Sequence, residues 1–195
     1  MPYRIYETQA FILSSRTQGE ADRVFTLYTR EFGLVRATAQ GIRELKSKLR
    51  YSLQPYAQVV VNMVRGRGGW RITNARLAED TVAPILKTPG HRLILVRVLS
   101  LVRRMLAGEE RNTELFDSLS NGSAFLSGVP NASLPEAEIL LVLRVLYHLG
   151  YVGASAVFSE LMVGNLWNDE ALHEASRCRK VLVNLVNESL RSSHL

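Results

Sequence analysis

The most constraining feature of this sequence is a series of five short strand-like segments in its first 78 residues, with no long helix between them. Each segment is rich in β-branched and aromatic residues, and a turn-forming stretch separates it from the next. An open sheet of five such strands would leave two edges and one face exposed, so the series favours a small closed barrel. The predicted strands are TQAFILSS (8–15), RVFTLYT (23–29), GLVRATAQG (33–41), PYAQVVVNMV (55–64) and GWRITNARL (69–77).

Past Ala83 and Pro84 the hydrophobic residues recur at the spacing of α-helices. Helices are predicted over residues 91–108, 113–119 and 135–150, and a last helix begins after Asn168, whose side chain can cap it. The expected fold class is α+β with two domains. They are a five-stranded OB-fold β-barrel over residues 1–80, expected to bind nucleic acid, and an α-helical domain over residues 81–195.

The positive charge of the chain is confined to the predicted barrel. The 195 residues include 24 basic and 18 acidic side chains, a net charge of +6. Residues 1–80 hold 13 basic and 7 acidic residues, whereas residues 81–195 hold 11 of each. A small barrel that carries the whole excess is typical of a nucleic-acid-binding domain.

The cations form two clusters. One lies in GLVRATAQGIRELKSKLRYSLQP (33–55), whose only acid is Glu44, and the other surrounds the turn RGRGGW (65–70). Arginine and lysine neutralise phosphates, and an exposed aromatic ring can stack on an unpaired base, for which Tyr51 and Trp70 are the candidates. The candidate site residues are Arg36, Arg43, Lys46, Lys48, Arg50, Tyr51, Arg65, Arg67, Trp70 and Arg71.

An alternative interpretation makes the first cluster a solvated surface. Residues 41–50 can form a short amphipathic helix that places Ile42, Leu45 and Leu49 on one side and caps the barrel. If these three side chains pack on the barrel, the cations form a fixed wall of a groove. If they do not, the segment is a mobile arm that becomes ordered on binding. The sequence leaves both possibilities open.

Residues suited to catalysis or metal binding do not occur in usable combinations. None of the four histidines lies four residues from another, and the single cysteine, Cys178, falls in a helical apolar stripe that predicts a core position. The turn RGRGGW lacks the spacing of a phosphate-binding loop and lies between two strands, so a hairpin is predicted. These observations favour a binding protein that is not an enzyme and needs no metal or cofactor.

The setting expected for this chain is the cytoplasm. A single cysteine excludes an intramolecular disulfide, and the start MPYRIYETQA lacks the pattern of a secretory signal. The most apolar stretch, residues 139–158, contains Arg144 and His148 and is predicted to be a core helix followed by a loop rather than a membrane span.

Several short motifs in the first 80 residues resemble those of the RecO family of recombination and repair mediators. They are GE-x-D at 19–22, T-x-x-x-G at 29–33, A-x-G at 39–41, LQP at 53–55 and GRGG at 66–69. The resemblance implies an OB-fold that binds single- and double-stranded DNA, with the first cation cluster as the binding residues. It also implies annealing of complementary strands and help in loading a RecA-type recombinase onto DNA covered by single-strand-binding protein.

The partners that the resemblance implies are RecR and the acidic, hydrophobic-ended C-terminal tail of single-strand-binding protein. The chain lacks the four cysteines with which many family members hold zinc, so it resembles the zinc-free branch. Two alternatives remain at this point. One is a non-catalytic adaptor whose helical domain recruits protein partners, and the other is an OB-fold protein that binds RNA.

Overall fold

A computed structural model describes residues 4–78, 88–153, 161–162 and 167–192. The chain divides into two compact units. The first, here called the barrel unit, comprises Met1–Asp80 and Leu106–Thr113, and the second, the helical unit, comprises Thr81–Met105 and Glu114–Leu195.

The barrel unit contains the five strands that the sequence predicts. They are β1 (Ile5–Gln18), β2 (Asp22–Thr29), β3 (Gly33–Ala39), β4 (Gln58–Gly66) and β5 (Gly69–Leu77). The sheet closes in the order β1-β2-β3-β5-β4, and β3 pairs with β5 in parallel while all other pairs are antiparallel. This is the closed barrel of an OB-fold, so the predicted fold class is confirmed.

Strand β1 closes the barrel because it is long enough to pair with two neighbours. Its 14 residues pair with β4 through their first half and with β2 through their second half. The register with β2 shifts between Ile12 and Ser14, a bulge of the kind that bends a strand from one side of a barrel to the other.

The interior of the barrel follows from the alternation of its strands. Phe25, Leu27, Val35 and Ala37 are at most 1% exposed, while Arg36 between the last two is exposed. Burial of each large apolar side chain contributes about 1.5–3 kcal/mol relative to leaving it in water. The alternation therefore fixes which residues of β3 face solvent.

A segment distant in sequence, Leu106–Thr113, also packs on the barrel, and no local pattern in the sequence predicts this. The backbone amide of Leu34 donates to the Gly108 carbonyl at 2.9 Å, and the Tyr28 hydroxyl donates to the Asn112 carbonyl at 2.9 Å. Gly33 makes this approach possible, since a Cβ built there would collide with the backbone of Glu110. We call Leu106–Thr113 the return segment.

The helical unit contains α2 (Pro89–Met105), α3 (Thr113–Leu126), α4 (Leu134–His148), α5 (Asp169–Arg177) and α6 (Arg179–Ser192), while the four-residue α1 (Leu49–Ser52) belongs to the barrel unit. Two predicted helix ends are observed: the Ala171 amide donates to Asn168 Oδ1 at 2.9 Å, and Gly150 has a φ of 78° just after α4. No helix of the described residues combines the length and the apolarity needed to cross a bilayer.

Two helix predictions are wrong. Helix α3 continues to Leu126 instead of ending at Leu119, because its small residues allow close packing: a Cβ on Gly122 would lie 2.6 Å from Trp167 and 2.7 Å from Leu141. The last helix is interrupted at Cys178, which separates α5 from α6. Cys178 is only half-buried, so its predicted core position is also wrong.

The charged side chain that interrupts the apolar stretch of α4 is buried. Arg144 is 2% exposed, its Nε donates to the Leu161 carbonyl at 2.9 Å, and its guanidinium lies 4.0 Å from the ring centroid of Trp167. Burial lowers the pKa of Arg144 to about 10. Arg144 thus links α4 to residues that follow it in the chain by 17 and 23 positions.

Candidate nucleic-acid interface

The outer surface of the barrel presents arginines from three strands. Strand pairing places Arg16, Val24, Thr38 and Arg71 in one row across β1, β2, β3 and β5. Both arginines in this row are exposed, as is Arg36 on the next outward position of β3. The row spans about 14 Å, from three strand spacings of about 4.8 Å each.

Arg16 is missing from the residues predicted from the sequence. The residues that follow Ser14 in β1 are all exposed, so no alternation singles out Arg16, and only strand pairing places it in this row. The face between β2 and β3 is where OB-folds commonly bind oligonucleotides, together with the loops after β1 and β4. Arg16, Arg36 and Arg71 therefore lie on the surface that this fold offers to a strand of nucleic acid.

The β4–β5 hairpin forms a pocket with this face. The pocket has a volume of about 350 Å³, and its lining includes Arg67, Arg71, Gln40, the hairpin glycines and one acidic residue, Asp22. Arg71 Nη1 donates to Gln40 Oε1 at 3.1 Å, which holds the guanidinium beside the pocket. Arg67 is exposed at the tip of the predicted hairpin, which the structure confirms. We call this the hairpin pocket.

The hairpin residues Arg65 and Trp70 are engaged within the protein. Trp70 is 5% exposed and belongs to the barrel core, so the expectation that it presents an exposed ring to a base is wrong. Its Nε1 donates to Glu109 Oε1 at 3.1 Å, and Arg65 pairs with the other oxygen of Glu109 at 3.2 Å while lying over the Trp70 ring. The return segment supplies this carboxylate, and nothing local in the sequence around Trp70 indicates it.

The basic connection after β3 is attached to the turn between β1 and β2. The Gly41 amide donates to Asp22 Oδ1 at 2.8 Å, the Arg43 amide donates to the Ala21 carbonyl at 3.0 Å, and Arg43 Nη1 donates to the Glu20 carbonyl at 2.8 Å. These three hydrogen bonds come from two residues that lie close together in the chain, and they hold this end of the connection in place.

The short helix that residues 41–50 could form, one of the two possibilities left open by the sequence, is largely absent. Consecutive turns occupy residues 41–46, and only Leu49–Ser52 is helical. Ile42 is 4% exposed and Leu49 packs partly on the core, as expected, but Leu45 is 86% exposed. Two of the three apolar side chains therefore fix the connection to the barrel, and the third points into solvent.

A second pocket, the connection pocket, lies where this segment meets the barrel. It has a volume of about 470 Å³, and Arg23, Arg43, Arg50 and Tyr51 contribute to its wall. Tyr51 is 66% exposed, and the Arg50 guanidinium lies 4.8 Å from its ring centroid while Arg50 Nη2 donates to its hydroxyl at 2.7 Å. Among the described residues, no acidic side chain lines this pocket. Arg23 was not predicted as a site residue, because it stands alone in a strand sequence.

Together the two pockets offer groups that bind phosphates and one exposed aromatic ring. Among the candidate cations, Arg65 is the only one with an ion pair to a described residue. Lys46 and Lys48 extend the cationic surface along the exposed edge of the connection. In the described parts of the chain, no three His, Cys, Asp or Glu side chains are grouped so as to hold a metal ion. This chemistry suits electrostatic binding of a polyanion and stacking on an unpaired base.

Residues 1–80 match the family model described as Recombination protein O N terminal. This domain match supports a RecO family protein. The RecO domain and the OB barrel support a role in DNA repair and recombination and in DNA binding. Helices α2 to α6 lie outside the matched residues.

The RecO motifs coincide with the turns that build the barrel. In T-x-x-x-G, the Thr29 hydroxyl accepts from the Phe32 amide at 3.1 Å and donates to the Gly33 carbonyl at 2.9 Å. In GE-x-D and A-x-G, Asp22 and Gly41 form the hydrogen bond that attaches the connection to the β1–β2 turn. The motifs thus specify the positions of the loops on which the cations are carried.

Proposed function

We propose that this protein is a DNA repair and recombination mediator that binds single- and double-stranded DNA through its barrel. It anneals complementary strands and helps to load a RecA-type recombinase onto DNA covered by single-strand-binding protein. The observation that carries the proposal is the pair of cation-lined pockets, one with Arg23, Arg43 and Arg50 and the other with Arg67 and Arg71. None of these guanidinium groups has an ion pair with a described residue, and all but that of the half-buried Arg50 belong to exposed residues.

The proposed binding is sequence-tolerant, because its main contacts are to phosphates. Each cation that contacts a phosphate releases a counterion, so the affinity falls as salt is added. On a single strand, the logarithm of the association constant falls by about 0.7 per phosphate contact for each tenfold increase in salt concentration. Tyr51 can stack on any base, since every base has an aromatic face. Neutralised phosphates also repel those of a second strand less, which is the electrostatic requirement for annealing. No bond is made or broken, so the role is not enzymatic.

The helical unit offers an apolar groove for the tail of single-strand-binding protein. The groove has a volume of about 570 Å³ and lies between α2, α4 and α6. Arg97 and Arg179 at its rim pair with Glu138 and Glu136, both at 3.2 Å, whereas the exposed Arg104 has no ion pair among the described residues. We propose that an acidic tail with a hydrophobic end binds here, with its apolar end in the groove. RecR is the second proposed partner, without an assigned surface. The apolar walls of the groove are Val96, Leu101, Ile139, Val142, Val183, Val186 and Leu190.

Charge reversal on the connection tests the DNA site. The variant R43E/K46E/K48E is expected to abolish binding of a fluorescent oligonucleotide in an anisotropy titration. The control R103E/K180E/R191E makes the same change in charge on exposed residues of the helical unit and is expected to lose much less affinity. Melting temperatures of both variants establish that they fold. If both triple variants lose affinity equally, the effect is one of net charge and the site is wrong.

Annealing separates the mediator from the two alternatives. A mediator accelerates annealing of complementary strands with and without single-strand-binding protein, whereas an adaptor binds DNA without accelerating it. DNA and RNA oligonucleotides of the same sequence test the RNA alternative, because a preference for RNA requires contacts to the 2′-hydroxyl.

The apolar groove of the helical unit is tested with a peptide of the acidic tail. R104E is expected to weaken binding of this peptide and to leave oligonucleotide binding unchanged.

A further inference from the structure

The two most exposed large apolar side chains of the described residues lie in the basic connection. Leu45 is 86% exposed and Tyr51 is 66% exposed. A single exposed leucine is common on protein surfaces and carries no information by itself. Leu45 differs in its surroundings, because Arg43, Lys46 and Lys48 flank it on the segment for which DNA binding is proposed.

The backbone that carries Leu45 is held on both sides. Before it, Ile42 is buried and the Glu44 amide donates to the Gly41 carbonyl at 3.1 Å. After it, the Ser47 amide donates to the Glu44 carbonyl at 3.1 Å, which closes a tight turn with Leu45 and Lys46 at its two central positions. The apolar side chain is therefore presented by an ordered turn, and its presentation adds little ordering cost on binding.

If these cations hold the phosphates of a strand, the apolar side chain between them lies close to its bases. Proteins insert leucine, isoleucine, phenylalanine or methionine between neighbouring bases and partly unstack them. Tyr51 offers an aromatic ring on which a base can lie, whereas Leu45 has no ring and can only fill a gap between two separated bases. The two residues thus supply different functions to the same surface.

We propose that Leu45 is an apolar wedge that enters between adjacent bases of a bound DNA strand and separates them. This proposal rests on the proposed DNA-binding function of the connection. Such a wedge separates the faces of two neighbouring bases and leaves their hydrogen-bonding edges free to pair with a complementary strand.

Fluorescence of 2-aminopurine tests the wedge, because this base is quenched when stacked and bright when unstacked. The probe is a set of adenine-rich oligonucleotides with 2-aminopurine at successive positions, each measured at saturating protein so that differences in affinity drop out. The wild-type protein is expected to raise the fluorescence of some positions several-fold. L45S is expected to lose most of this rise, whereas L45M, which keeps an apolar side chain, retains it.

The matched control is L93S, which makes the same substitution at a half-exposed leucine of the helical unit and is expected to behave as wild type. A full rise with L45S overturns the wedge. Tight binding by the wild type with no rise at any position also overturns it and leaves DNA binding intact. An absence of binding by the wild type, measured by anisotropy on the same oligonucleotides, overturns the proposed function as well.

Discussion

Substitution of Gly33 by alanine tests how the return segment is attached to the barrel. Gly33 has a φ of +64°, and a Cβ there would collide with the Glu110 backbone, whose N and C atoms lie 2.7 Å away. Backbone atoms cannot rotate aside as a flexible side chain does, so the alanine must displace the return segment. Gly19 has nearly the same φ, +62°, with nothing within 4 Å of its Cβ position. G19A is therefore the matched control.

The two variants share one cost and differ in another. Alanine in the left-handed region costs about 1–2 kcal/mol, and this applies to both. G33A additionally loses the hydrogen bonds from Leu34 to Gly108, from Tyr28 to Asn112 and from Trp70 to Glu109. At about 1 kcal/mol each, these bonds add about 3 kcal/mol. The exposed ion pair of Arg65 adds less than about 1 kcal/mol.

Urea unfolding gives the total difference between the variants, and hydrogen exchange locates it. The Leu34 amide is the most direct probe, because its acceptor is Gly108 of the return segment. We expect G33A to be less stable than G19A by about 3 kcal/mol and to exchange the Leu34 amide faster. Equal stability of the two variants, or unchanged Leu34 protection in G33A, would refute the attachment argued here.

Three further predictions concern single side chains. E109Q removes the ion pair with Arg65 and should raise oligonucleotide affinity by up to about fivefold, because the Arg65 guanidinium becomes available to a phosphate. E110Q, a substitution of the next residue, for which no ion pair is observed among the described residues, should not raise it. Anisotropy titrations compare the two variants, and equal affinities would contradict competition between Glu109 and DNA for Arg65. Burial lowers the pKa of His148, and the charge of the nearby Arg144 lowers it further. Together they outweigh the carboxylate of Glu114, 3.9 Å away, which raises it. The unfolded chain therefore binds a proton at His148 more readily than the folded protein does, and stability present above about pH 6.5 is lost as the pH falls towards the folded-state pKa. On acidification, the melting temperature of H148Q should fall less than that of the wild type. Melting temperatures that fall in parallel with pH would contradict this prediction. N168A removes the cap of α5 and should lower the free energy of unfolding by about 1 kcal/mol. N184A, an exposed substitution within α6, should not lower it, because alanine is the better helix former; equal losses would show that the cap is not the cause.

The strands and their turns were predictable because their signals are local. Alternation of apolar and polar residues marks each strand. The motif residues form hydrogen bonds or turns within the segment from β1 to β3; they are Asp22, Thr29, Gly33 and Gly41. The helix ends at Gly150 and Asn168 were likewise predictable, since caps act within one turn of the chain. The same reasoning failed for α3, where packing against Trp167 extends a helix that its serines and glycine would end.

The candidate site was predictable in its charge and only in part in its geometry. The cations of the connection were found because they are adjacent in sequence. Arg16 and Arg23 were missed because strand pairing, rather than sequence, brings them to the surface of the site. Trp70 was misjudged because its flanking arginines indicated exposure, while its place in the β alternation buries it.

By itself, the sequence determined the five-stranded barrel, the concentration of positive charge in it and the RecO motifs that set its turns, because periodicity, composition and turn chemistry act over a few residues. Tertiary structure alone decided that Glu109 engages Arg65 and Trp70, that Ile42 and Leu49 fix the connection, and that Leu45 remains outside. These outcomes depend on which distant residues meet, and a return segment that begins 36 residues after Trp70 leaves no mark on the pattern around it.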